Sequence, residues 1–289
     1  MRMRLRELNL GCNKLTDASI SLISGALLGV GCAEEGGGGG VGDHHEGADG
    51  GVAQGYERRH CNGGESGDGE DGLSATCEVL RLHCNEITAE GARHLAAVVP
   101  TCRVSVLDLS DNALSSAGAA SIGVALAASR SMSQLYLRSN AIGDAGVRDI
   151  ALALPSASRL THLDLSDNRI LDEGATYLAS ALALSPALEN LCLACNQIGD
   201  QGAARIAVAL APGPATATGH KAAAGTAHAD AAAASSSSSS APRARAAPSC
   251  GALHGTLQIL DVRANRVGAE GSRRLMEAAP AGCRIMLRF

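Results

Sequence analysis

The chain has 289 residues, enough for one large or two ordinary domains, and holds no Trp, a single Phe and three Tyr. A compact core usually leans on a few large aromatics, so this composition excludes that kind of core and points to small aliphatic contacts repeated along the chain. The net charge of −5 is unevenly placed: residues 30–73 carry ten acids against Arg58 and Arg59, residues 211–256 carry +2, and the rest is near neutral at +1, without the basic face of a nucleic-acid binder.

The N-terminal Met1–Leu8 is basic, and no apolar run follows it, so it is not a secretory signal. No stretch is long and apolar enough to span a bilayer. Residues 1–29 open a pattern, Leu5, Leu8, Leu10, Asn13, Leu15, that reads L-x-x-L-x-L-x-x-N-x-L. Residues 30–73 interrupt it with a Gly-rich acidic segment. Residues 74–210 resume it in five repeats: Cys77, Leu80, Leu82, Asn85, Ile87; then Val104, Leu107, Leu109, Asn112, Leu114; then Met132, Leu135, Leu137, Asn140, Ile142; then Leu160, Leu163, Leu165, Asn168, Ile170; then Leu188, Leu191, Leu193, Asn196, Ile198. An Ala/Ser-rich segment, 211–256, precedes a seventh repeat in 257–289, with Leu257, Leu260, Val262, Asn265 and Val267. That last block also holds an eighth strand pattern at Ile285, Leu287 and Phe289. From Asn85 to Asn196 the Asn residues are 27, 28, 28 and 28 apart, a register chance does not keep.

Each position has a physical reason. The L-x-L pair alternates at period 2 and predicts a short strand with one buried face. The Asn has an acceptor and two donors, enough to satisfy backbone groups at a turn, and stacked turns would make the seven Asn a ladder. Seven residues after each Asn a helical period begins, as in Val147, Ile150, Ala151, Leu154 and in Ala203, Ile206, Ala207, Leu210. The lead-ins Gly143–Gly146 and Gly199–Gly202 place Asp144 and Asp200 at a helix start, at the positive end of the dipole.

A strand plus a full helix in about 28 residues resembles the ribonuclease-inhibitor class of leucine-rich repeat, which NOD-like receptor C-terminal domains and the Ran GTPase-activating protein share. The resemblance covers nearly everything outside the two insertions. It implies an α/β fold: a right-handed solenoid or horseshoe with a parallel sheet on the concave side and helices on the convex side. Repeats three and five read Asp-Leu-Ser-Asp-Asn and repeat seven keeps Asp261, with Tyr136 and Cys192 between them. This two-repeat period looks like the A/B alternation of ribonuclease inhibitor and NOD-like receptors.

The insertions add about 44 and 41 residues at the same point, between a helix and the next strand. Too poor in apolar residues to offset their chain entropy, both are expected to be disordered. Asp43-His44-His45-Glu46 with His60 and Cys61 has irregular spacing and promises no more than adventitious metal binding. Gly36–Gly40 lacks the strand-to-helix context of a phosphate loop and reads as linker. Cys192-x-x-Cys195 falls on a strand and before a ladder Asn, a slot it shares with Cys12 and Cys84, so it reads as structural. Without a secretory signal, the ten Cys are expected to be reduced thiols in a cytoplasmic protein.

No catalytic constellation, metal site or cofactor is expected. The candidate site is the concave face, where residues between and after the Leu positions stack rung on rung. Its expected partner-binding residues are Arg81, Asp108, Tyr136, Arg138, His162, Asp164, Asp261 and Arg263. Both charge signs and a Tyr suit a protein partner. The expectation is a protein-interaction module, with no nucleic acid and no membrane. A GTPase activator resembling the Ran one is the alternative, although that family's acidic C-terminal tail is absent here. A ribonuclease inhibitor would need a strongly acidic concave face and many more Cys. Neither end shows a polar capping repeat, so either partner segments cover the ends or the chain is a piece of a longer product.

Overall fold

A computed structural model describes residues 5–28, 77–211 and 256–287. Strand and helix alternate through them: β1 (Glu7–Asn9), α1 (Asp17–Leu28), β2 (Val79–Arg81), α2 (Ala89–Val98), β3 (Val106–Asp108), α3 (Ser115–Ala128), β4 (Gln134–Tyr136), α4 (Gly143–Ala153), β5 (His162–Asp164), α5 (Asp172–Leu182), β6 (Asn190–Cys192), α6 (Asp200–Leu210), β7 (Ile259–Asp261), α7 (Ala269–Ala278) and β8 (Arg284–Met286). The strands form one parallel sheet in chain order. Its register is set by the central residue of each strand, Leu8 on Leu80 on Leu107 on Leu135 on Leu163 on Leu191 on Leu260 on Ile285. Strands stack about 4.8 Å apart and packed helices about 8–10 Å apart, so the stack bends toward the sheet. The result is the expected unclosed α/β leucine-rich-repeat solenoid.

Both insertions lie almost wholly outside the described residues, as do the Asp43–Glu46 run with His60 and Cys61, Gly36–Gly40 and Phe289. Each insertion runs from a helix to the next strand, α1 to β2 and α6 to β7.

The core is the Leu pattern itself. From repeat two to repeat six every pattern position except the Asn is a fully or almost fully buried aliphatic, Cys or Met side chain. The helical stripes meet it from the other side: Val147, Ile150, Ala151 and Leu154 are all buried, and so are Ala203, Ile206, Ala207 and Leu210. In α2 the Ala96 position is only partly buried. Repeat one is the edge of the stack. Leu8, Leu10 and Leu15 are partly buried there, and Leu5 is 43 % exposed.

The Asn residues do form a ladder, and from Asn85 to Asn265 the side chain of each joins two repeats. Asn140 is fully buried; its Nδ2 donates to Leu137 O (3.1 Å) and Arg138 O (2.9 Å) in its own turn and to Leu109 O (2.9 Å) one rung back. Asn168 repeats this with Ser166 O (3.0 Å) and Leu137 O (2.8 Å), and its Oδ1 accepts from the amides of Asn140 (2.9 Å) and Ile142 (3.3 Å). The backbone before each Asn turns left-handed: Cys12, Cys84, Asp111, Ser139, Asp167, Cys195 and Ala264 have φ between 52° and 59°. Six of them, all but Ala264, donate an amide to the carbonyl of the next rung, 2.8–3.0 Å away, which offsets the cost of that conformation in a non-Gly residue.

A second ladder runs through the helix starts, and it differs from the sequence expectation. Asp144 sits in the first turn of α4, but its Oδ1 accepts from Leu171 N (2.8 Å) and Gly174 N (3.0 Å), at the start of α5. Asp172 serves α6 through Gly199 N (2.7 Å) and Gly202 N (2.9 Å), and Asp200 serves α7 through Gly268 N (2.7 Å) and Gly271 N (3.1 Å). Asp17 does the same for α2 through Thr88 and Gly91. Each carboxylate therefore caps the helix of the following repeat. The receiving Gly is required by space: a Cβ on Gly174 would lie 2.4 Å from Asp144 Oδ1. Burial pushes the Asp17 carboxyl up, but the Thr88 hydroxyl and the Thr88 and Gly91 amides outweigh it and hold its pKa below the usual range. The Asp17 cap therefore stabilises the fold above about pH 4 and loses that contribution as the pH falls through the folded value.

Asn168→Ala takes the acceptor from two buried amides and should cost about 3 kcal/mol or more. Asn13 is exposed, and among the described residues its side chain bonds only Gly11 O of its own turn (2.9 Å), so Asn13→Ala should cost less than about 1 kcal/mol. Urea unfolding of the two variants measures the contrast, and equal losses would contradict the ladder. Asp144→Ala should speed amide exchange at Leu171 and Gly174, one repeat after the change, while α4 keeps its protection. Faster exchange confined to α4 would mean that the carboxylate caps its own helix.

Candidate partner-binding face

A three-residue strand with its central side chain buried must turn the other two outward. The open face therefore has two columns on the strands and a third just beyond them. The first runs Glu7, Val79, Val106, Gln134, His162, Asn190, Ile259, Arg284; the second runs Asn9, Arg81, Asp108, Tyr136, Asp164, Cys192, Asp261, Met286. The third is Gly11, His83, Ser110, Arg138, Ser166, Ala194 and Arg263. Sequence reasoning named Arg81, Asp108, Tyr136, Asp164 and Asp261 of the second column and Arg138 and Arg263 of the third, but only His162 of the first. Val79, Val106, Gln134, Asn190 and Ile259, all half-buried, were legible as the residue before each strand Leu.

The eight expected residues lie on this one face in differing states. Asp108, Tyr136 and Asp164 stand on three consecutive rungs, half-buried. Asp108 Oδ1 accepts from Ser110 N (3.0 Å), its Oδ2 lies 3.4 Å from His83 Nδ1, and Asp164 Oδ1 accepts from Ser166 N (2.9 Å). Each carboxylate thus uses one oxygen to hold the turn after its strand. Tyr136 donates its hydroxyl to Gln134 Oε1 (3.1 Å); burial first, then the flanking Asp108 and Asp164, push its pKa up and keep it a neutral donor. Arg138 is exposed beside Tyr136 and forms no ion pair among the described residues. His162 is held between Thr161 Oγ1 (2.7 Å from Nδ1) and the Asn190 amide at Nε2. Arg81 is paired with Glu7 across the β1–β2 step.

Asp261 and Arg263 depart from expectation. Asp261 is only 3 % exposed, and its carboxylate takes both Arg263 Nε (2.9 Å) and Nη2 (2.7 Å) as well as the Arg263 amide (3.1 Å). Burial raises the Asp261 pKa, and the Arg263 guanidinium and amide more than reverse it, so the carboxyl lies below its ordinary value. The cause is local in sequence: an Arg two residues on reaches back to the Asp that closes its own turn. Asp261 is therefore unavailable to a partner, while Arg263 stays half-exposed.

The structure also explains the two-repeat period. Asn9, Asp108, Asp164 and Asp261 each accept from the amide two residues on, so the first, third, fifth and seventh rungs share one turn-closing bond. Arg81, Tyr136 and Cys192 fill the even rungs. Burial, with help from Asp164 and Asp261, pushes the Cys192 thiol up to about 11, which removes it from thiolate chemistry at neutral pH.

Among the described residues no group of three or more His, Cys, Asp or Glu could hold a metal ion. No described helix is long and apolar enough to cross a membrane. A depression of about 430 Å³ lies on α7 against Arg273 and Met276, away from the sheet face.

Comparison with known families gives a leucine-rich repeat model that matches residues 4–24, 104–123, 128–151, 158–179 and 185–207. Each match spans one strand and at least the first half of its helix, and the structure adds β2–α2 and β7–α7 as the same unit in the same sheet. No curated protein matches the chain. Five matches in register with a one-strand, one-helix stack support a leucine-rich-repeat protein.

Proposed function

We propose that the chain binds a protein partner through the open sheet face and the turns beside it. Leucine-rich repeats are generally protein-interaction modules. The observation that carries the reading here is the Asp108–Tyr136–Asp164 run with exposed Arg138 at its side. These groups keep free surface: each Asp has an oxygen beyond its turn bond, the Tyr ring lies half-exposed between them, and the Arg has no described ion pair. An amphipathic ring flanked by carboxylates and a guanidinium is the composition of a binding hot spot. The partner lies in the same compartment as the chain, which we read as the cytoplasm.

The test keeps the turns intact. Asp108→Asn and Asp164→Asn retain the Oδ1 acceptor for Ser110 and Ser166, and Tyr136→Ala removes the ring. Combined, they should weaken recovery of a bound protein from source-cell extract about 30-fold or more, the scale of a 2 kcal/mol hot spot. Leu152→Ser on the outer face of α4, where the side chain is exposed, should leave recovery unchanged. Equal recovery by the concave variant, or loss with Leu152→Ser alone, would remove the sheet face from the reading. Stimulation of GTP hydrolysis by the Ran GTPase at catalytic amounts of the chain would replace the reading with the activator alternative.

A further inference from the structure

Among the described residues only three Cys are exposed, Cys12, Cys84 and Cys195, and all three occupy the left-handed slot before a ladder Asn. Two of them are neighbours. The β1–β2 register puts Cys12 one rung from Cys84, and Cys12 N donates to His83 O (2.9 Å) while Cys84 N donates to Ser110 O (2.9 Å), so the two turns stack with the same bond. Their φ angles are 59° and 52°, so both side chains leave the backbone in the same direction. Adjacent rungs are about 4.8 Å apart, inside the roughly 4.4–6.8 Å Cα separation that a disulfide accepts. The two thiols sense each other: the neighbouring Cys12 thiol is the first cause that pushes the Cys84 pKa up, and Asp111, 3.9 Å from the Cys84 sulfur, adds to it. Cys195 has the same backbone and the same exposure, but the slots on either side of it hold Asp167 and Ala264.

We propose that Cys12 and Cys84 are a redox modification site, closing to a disulfide that fastens repeat one to repeat two. The oxidant is a low-molecular-weight disulfide such as oxidised glutathione. The Cys12 thiolate attacks it and releases one glutathione thiol; Cys84, giving up its proton, then attacks the Cys12 sulfur, displaces the other glutathione and forms the Cys12–Cys84 bond. Two thiols lose two protons and two electrons, and the reagent's S–S bond takes them up as two thiols. Repeat one is where such a bond has effect. Its Leu8, Leu10 and Leu15 are only partly buried, and residues 29–76 separate α1 from β2 in the chain. Noncovalent contacts between the first two repeats hold it until the disulfide forms.

The full chain, incubated in a glutathione redox buffer and digested without reduction, supplies the test by mass spectrometry. Expected are a peptide linking Cys12 to Cys84, a glutathione adduct on Cys195, and amide exchange in residues 7–28 at least tenfold slower than in the reduced protein. Cys84→Ser, an exposed and conservative change, should leave glutathione on Cys12 and abolish the slowing. Glutathione on both Cys12 and Cys84, a bridge from either to another Cys, or a linked chain whose N-terminal exchange is unchanged would overturn the proposal.

Discussion

The structure depends on one constraint: after each three-residue strand the backbone must turn inside a dry interior, and one side chain must satisfy the groups the turn leaves open. A buried Asn does this with donors toward its own turn and the preceding rung and an acceptor toward the preceding rung's amides. Because each amide engages two repeats at once, the turn from strand to Asn cannot change length without breaking bonds on both sides, whereas the long segments between a helix and the next strand leave the ladder bonds in place. The constant spacing from each strand to its Asn follows from that requirement. So does the left-handed residue before each Asn, held there by its own bond to the next rung.

The Asp caps impose the same logic on the helical layer. A carboxylate in one repeat and the amide of a Gly in the next form a single device, and the same Gly recurs as Gly118 and Gly146, where a Cβ would meet the previous helix instead. The device is missing where the capping position holds Ala89 or Ser116, so neither α3 nor α4 receives a carboxylate from the repeat before it. There the helices close up by another route: Gly123 in α3 leaves so little room that a Cβ would lie 2.9 Å from the carbonyl of Asp149 in α4. Cohesion along the stack is therefore a sum of neighbour terms of different kinds.

The strands, the helical stripes and the buried positions were legible because each follows a period of one element, two for a strand and 3.6 for a helix. What escaped spans two repeats. Asp144 was read against its own helix, since a single repeat shows an Asp at a helix start and does not show that its oxygen lies over the next one. Asp261 was read as an exposed strand residue, and Arg263, two positions on, folds back over it. The first outward column went unnamed, apart from His162, although the strand pattern itself exposes it. Asp108, Tyr136 and Asp164 were legible together because their rungs are consecutive and no Arg two residues on folds back over either Asp.

The alternating turn bond divides the face into two kinds of position. On odd rungs the residue at the end of the strand carries the turn as well as the surface, so replacing Asp108 or Asp164 with anything but Asn alters both. On even rungs Arg81, Tyr136 and Cys192 accept no such bond from the turn, and their identity can change while the backbone stays as it is. The odd rungs fix the geometry of the face and the even rungs are where its chemistry can vary. A chain built this way can acquire a new partner by changing one residue in every second repeat, at little cost to its fold.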